Sequence, residues 1–264
     1  MYKSIGLSGG GFAGAYEVGA LMGLVEKKVI NLKTVRAAGA SAGALSLGFC
    51  SGVSLNATLD AAMEIVDNCA ADPYLCYGTL GAKVTAALDS YIPKGPKAWM
   101  QCNKRMYIQL SQAKSSQKPP CPLNETTPTY IIKSLLINQF SSRNDFINAL
   151  AGSAFLIPVS NLDVCSRDFR KNVHVVDGGY TDILPCPPGK DDCLQISTYY
   201  KGQLPFTGDI YPGMRGNGTL PIEPAALYDM SKLNAQITKP RFSQLVQAGY
   251  LDALFWYDKQ ITEG

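Results

Sequence analysis

Apolar positions along the chain switch period several times, and each switch marks an element. Residues 3–8 form a short apolar strand pattern that runs into Gly9-Gly10-Gly11. From Phe12 to Lys28 the period becomes helical, with Tyr16, Val18, Leu21, Leu24 and Val25 supplying much of the apolar stripe. Thr34–Ala40 is a second short strand, and Ala42–Cys50 fits a helix of small residues. Strand, tight turn, helix, repeated, predicts an α/β fold built on a parallel sheet. Further on, 57–70 and 81–91 read as helices. Residues 112–128, with Pro119, Pro120, Pro122 and Pro128, read as a loop or an edge element. Tyr130–Ile137 fits either a strand or a helix start. Ser142-Arg143-Asn144-Asp145 suits a capping box for a helix through Ala151. Val173–Val176 and Leu194–Tyr199 read as strands, and Phe242–Tyr257 as an amphipathic helix.

Composition narrows this picture. At 264 residues, with 46% hydrophobic and 17% charged residues, the chain suits one α/β domain over 1–264 with a full core. A net charge of +3 and the lack of a long basic run argue against a nucleic-acid partner. The uncharged stretch Ala37–Leu59 is long enough to span a bilayer, but Gly, Ser, Ala, Asn and Thr dominate it. It reads as a buried turn, helix and loop, so no transmembrane segment is expected.

Eight cysteines include the near pairs Cys69/Cys76 and Cys186/Cys193, while Cys102 and Cys121 flank a polar, proline-containing stretch. Such local pairs fit disulfides and an oxidising compartment, as do sequons at Asn56, Asn124 and Asn217. No signal-peptide pattern opens the chain. The expectation is therefore reduced cysteines and a cytoplasmic protein peripheral to membranes, with secretion as the alternative. One histidine and the wide cysteine spacing do not suit zinc.

Two motifs carry chemistry. Gly39-Ala40-Ser41-Ala42-Gly43 matches G-x-S-x-G, which lifts a serine out of a sheet on a strained strand-to-helix turn. Gly9-Gly10-Gly11-Phe12-Ala13-Gly14 sits between strand and helix. It lacks the Lys-Ser/Thr of a Walker loop and the acidic partner of a dinucleotide site. It suits an oxyanion hole, with Gly9, Gly10 and Gly11 offering backbone N–H groups to one oxygen. A triad would need His174, three residues before Asp177. On a strand those two side chains point to opposite faces, so His174 cannot easily bridge Ser41 and Asp177. Asp177, at the strand end before Gly178-Gly179, is left as the base for Ser41. An unperturbed Asp titrates near about 3.9, so burial is needed to strengthen it.

Taken in order, Gly9-Gly10-Gly11, the Ser41 motif and Asp177-Gly178-Gly179 resemble patatin-like phospholipases. Phe140 through Pro158 is similar to the family's helix with its Ala/Ser-rich, proline-terminated end. The runs Gly208–Pro212 and Ala248–Leu254 resemble the adiponutrin-like branch. The resemblance implies a three-layer α/β/α fold around a mostly parallel sheet and a Ser–Asp dyad without histidine. It further implies a lipid acyl hydrolase that needs no cofactor and meets its substrate at a membrane or lipid-droplet surface. A lipid transacylase using the same dyad, or a lipid-binding scaffold without turnover, fits the same residues. Two departures stand out: Ala13 replaces a cation common in the glycine loop, and Asp182 stands where Asn is common. Asp182 is expected to disfavour anionic headgroups.

Overall fold

A computed structural model describes residues 1–72, 76–114, 131–163, 165–189, 192–205, 207–216, 220–224, 226 and 236–263. Among these residues seven strands form one sheet: β1 (Ser4–Leu7), β2 (Arg36–Ala40), β3 (Met106–Ala113), β4 (Ile131–Ile137), β5 (Arg167–Arg170), β6 (Val173–Val176) and β7 (Cys193–Ile196). Seven helices flank it in an α/β/α arrangement: α1 (Gly14–Glu26), α2 (Ala42–Ser46), α3 (Leu55–Ala71), α4 (Leu80–Tyr91), α5 (Pro96–Met100), α6 (Arg143–Ser153) and α7 (Lys239–Glu263).

Strands β3-β2-β1-β7 are parallel, joined by crossovers, and all four residues of β1 are buried, as expected of a strand covered on both faces. Antiparallel pairing begins at β3, which takes β4 and β6, and β6 then pairs with β5. The register there determines where the site forms. Ile108 pairs with both Gly39 and Ile137, and Ser111 pairs with both Ser134 and Val176. Strand β4 therefore runs along one edge of β3, while β2 and β6 share the other edge end to end. Since β2 is parallel to β3 and β6 antiparallel, their C-terminal ends face each other. The last residue of β2, Ala40, lies opposite Gln109, and the last of β6, Val176, lies opposite Ser111. The next residues on the two strands are Ser41 and Asp177.

Helices α1 and α7 pack closely because glycine lets their backbones touch. A Cβ at Gly249 would stand 1.9 Å from the Tyr16 carbonyl oxygen, and one at Gly19 would stand 2.0 Å from that of Val246. Between them the Tyr16 hydroxyl donates to Asp252 (2.8 Å), which also accepts from Arg215. Helix α7 buries Phe242, Leu245, Ala253 and Trp256, so its apolar stripe faces the core. No helix among the described residues is long and apolar enough to cross a membrane.

Several expectations are sharpened. Ala42–Cys50 divides into α2 and a 3₁₀ turn over Leu47–Ser51, and the undecided segment before Ile137 is strand β4. Ser142 accepts from the Asp145 N–H, as a cap should, but Asp145 answers to the N–H of Ser141 rather than of Ser142. Most of the proline-rich stretch lies outside the described residues, as do the sequons at Asn124 and Asn217. The expectation of reduced cysteines is overturned. Disulfides join Cys69 to Cys76 and Cys186 to Cys193, Cys165 is disulfide-bonded as well, and Cys50 and Cys102 are free and buried.

Candidate active site

Ser41 sits in the turn between β2 and α2 at φ 53 and ψ −123, outside the regions open to an ordinary L-residue. The flanking glycines make that turn possible. A Cβ at Gly39 would stand 2.5 Å from the carbonyl carbon of Gly43, and one at Gly43 would stand 2.4 Å from the Ser8 carbonyl oxygen. Ser41 is half-buried, and its N–H donates to the Ser153 hydroxyl at 2.9 Å.

Asp177 follows β6 and is 4% exposed. Its Oδ1 accepts the Gly179 N–H at 2.8 Å, its own N–H donates to the Phe155 carbonyl at 3.0 Å, and its carbonyl accepts the Ser111 hydroxyl at 2.8 Å. Burial pushes its pKa up to about 6, against smaller opposing effects of the Ser41 hydroxyl and the Gly179 N–H. The Ser41 hydroxyl thus bears on this carboxylate. Even so, the buried Oδ2 makes no hydrogen bond of good geometry, so the Ser41–Asp177 contact is long or bent. Such contacts commonly tighten only when substrate is bound.

His174 takes no part in this arrangement. Its Nδ1 lies 2.7 Å from Asp168 Oδ1 across the β5–β6 pair, off hydrogen-bonding angle, and the residue lines neither cavity at Ser41.

The glycine loop faces Ser41 from the end of β1. The Gly9 N–H donates to the Ile183 carbonyl at 2.9 Å. Among the described residues, the Gly10 and Gly11 N–H groups have no such acceptor. Beneath the loop, the Ser8 and Thr198 hydroxyls both reach the Gly9 carbonyl, at 2.9 and 2.7 Å. Ser8 also reaches Glu17 Oε1 at 3.0 Å. Glu17 is fully buried, and burial raises its pKa well above the usual carboxylate range. Burial there favours the neutral acid, which places no charge beneath the loop.

Two cavities meet at Gly11, Ser41 and Leu156. One, of about 130 Å³, is walled by apolar side chains of α1, α2, α3 and α4, including Val18, Leu45, Ile65, Val84 and Leu88. The other, of about 190 Å³, is more polar and holds Asp177, Gly9, Gly10, Tyr180 and Tyr199. The site is thus divided at the serine into an apolar arm and a more polar one.

No protein-family model matches the chain. Among curated proteins it is similar to patatin-like phospholipase domain-containing protein 4 of Homo sapiens, with 26% identity over 270 residues, covering 92% of each chain. That similarity supports the patatin-like family. The seven-strand α/β/α sheet is consistent with a patatin-like fold.

In this frame the register brings Ser41 and Asp177 together, and the glycine loop joins them at the more polar cavity. Asp182 is exposed, accepts the Leu184 N–H, and lines neither cavity, so it has no direct contact with the site. Sequence reasoning missed β3, which braces both sides of the site through Gln109 and Ser111. The signal was present: Met106, Ile108 and Leu110 alternate with Tyr107, Gln109 and Ser111 at strand period. Ser153 was also missed as anything more than part of the small-residue end of α6. Nothing in local sequence tells which serine of such a run reaches another strand.

Proposed function

We propose that this chain is a serine lipid acyl hydrolase of the patatin-like type, within the adiponutrin-like branch, acting as one domain over residues 1–264. The observation that carries the reading is Asp177 Oδ2: buried, without a hydrogen-bond partner, on a carboxyl titrating near 6, and beside a serine held at positive φ. A buried carboxylate with an unused lone pair is a base waiting for a proton.

In this reading Asp177 takes the Ser41 proton as Oγ attacks the ester carbonyl, and the carbonyl π electrons move onto oxygen. The Gly10 and Gly11 N–H groups hold that oxyanion. Gly9 belongs to the loop, but its N–H is held by Ile183, so its part is to set the loop's shape. Such donors are typically worth a few kcal/mol each in the transition state. The C–O bond then breaks, and the alcohol or lysolipid leaves with the proton from Asp177. Water, deprotonated by the same carboxylate, attacks the acyl-enzyme and releases the fatty acid and Ser41. The apolar cavity suits the acyl chain and the more polar one the alcohol side, which supports a lipid ester as substrate.

The test is fatty-acid release from phosphatidylcholine vesicles and from a triacylglycerol emulsion. Release by the parent is expected to fall by a factor of at least about 10³ in both Ser41→Ala and Asp177→Asn. Unchanged release by Ser41→Ala would sink the proposal. Acyl transfer to an added lipid alcohol in place of release would favour a transacylase.

A further inference from the structure

Ser153 stands where two strands fail to pair. Along β2 and β3 the parallel ladder runs from Ala37 N–H to the Arg105 carbonyl at 2.9 Å, and every second residue repeats it. Continued by that period, the Ser41 N–H would donate to the Gln109 carbonyl. The turn at Ser41 leaves β2, and a side chain fills the missing rung. The Ser41 N–H donates to Ser153 Oγ at 2.9 Å, and the same hydroxyl donates to the Gln109 carbonyl at 2.7 Å. Ser153 is fully buried at the C-terminal end of α6, so water does not stand ready to replace it. Gln109 meets Asp177's side of the site as well: a Cβ at Gly178 would lie 2.1 Å from the Gln109 carbonyl oxygen. Next along β3, Ser111 donates to the Asp177 carbonyl.

We infer that Ser153 is a positioning residue for Ser41: its hydroxyl replaces a ladder hydrogen bond and so fixes the strained serine at a set distance from Asp177 along one edge of β3. This rests on the reading of Ser41 as nucleophile. The hydroxyl does not touch the reacting atoms. It holds the Ser41 backbone from behind, leaving Oγ free, and it keeps the amide of a half-buried, strained residue paired. Misplacement of a reacting group by about 1 Å can slow a reaction on the order of 10²-fold, so loss of this bridge should appear in the chemical step.

The experiment uses the full chain with a soluble p-nitrophenyl ester, and active serines are counted by fluorophosphonate titration. Per titrated serine, Ser153→Ala is expected to lose roughly 10²-fold in kcat with KM changed less than about threefold. Ser153→Thr, which keeps the hydroxyl, is expected to remain within about tenfold of the parent. A purely structural role would lower the number of active serines and leave kcat per serine intact, and that result would overturn the inference. If Ser153→Ala does not fold, the nearly isosteric Ser153→Cys decides: parental kcat would overturn the inference, and a slow, folded variant supports it. An inactive parent that takes no label at Ser41 would instead overturn the hydrolase reading, so the two failures differ.

Discussion

Ser41 and Asp177 both hold conformations or protonation states that cost stability, and each cost is measurable. A non-glycine residue at φ 53 is strained by roughly 1–3 kcal/mol. Glycine at this position removes the strain at some cost in chain entropy, whereas alanine keeps it. Ser41→Gly is therefore expected to be about 1 kcal/mol more stable than Ser41→Ala in denaturant melts, with both inactive. For Asp177, the folded pKa of about 6 lies above the unfolded value near 3.8. Its contribution is intact below pH 4 and is lost as pH rises through 6, because the folded state resists ionisation. That difference corresponds to roughly 3 kcal/mol at most. Asp177→Asn, which keeps an acceptor for the Gly179 N–H, should thus stabilise the protein at pH 7.5 and change little at pH 4. Turnover has the opposite pH sense, since the base must be ionised: kcat/KM is expected to fall as pH drops through about 6.

Elements bring these residues together, and they differed in how plainly the sequence announced them. β1, α1, β2 and the strand before Asp177 were legible because apolar period and glycine punctuation agree there. β3 was not, although its register decides the site: Gln109, Ser111 and Gln112 dilute an apolar strand with polar groups whose partners are distant in sequence. The meeting of β2 and β6 end to end along one edge of β3 is likewise a non-local fact that no window of residues contains. The α1–α7 contact lies between these extremes. Gly249 reads as a helix-weakening residue, yet its hydrogen faces the Tyr16 carbonyl. Gly249→Ala, favourable in an isolated helix, is expected to destabilise this protein by about 2 kcal/mol or more, because backbone rather than a flexible side chain must move. Thermal melts of Gly249→Ala beside Ala248→Gly, in the same helix, check this.

At the scale of the whole molecule, the sheet places one serine at the junction of an apolar and a more polar cavity, and in the proposed reading this division sets which esters the protein selects. Ala62 of α3 lines the apolar arm. Ala62→Phe should shorten that arm and lower kcat/KM for long-chain esters by about tenfold or more, while short-chain esters are affected little. Rates on a series of p-nitrophenyl esters of increasing length make the comparison. The order of the Ser41, Asp177 and glycine-loop motifs and the near cysteine pairs were readable in the sequence, whereas the cavities and the bonding of those pairs belong to the folded chain.

Most direct for the Ser41–Asp177 pair is the pH dependence of fluorophosphonate labelling, with the adduct located by peptide mass. Labelling is expected at Ser41 alone, with a rate that rises with pH through about 6 and collapses in Asp177→Asn. An adduct on another serine, or a Ser41 rate indifferent to Asp177, would contradict the dyad.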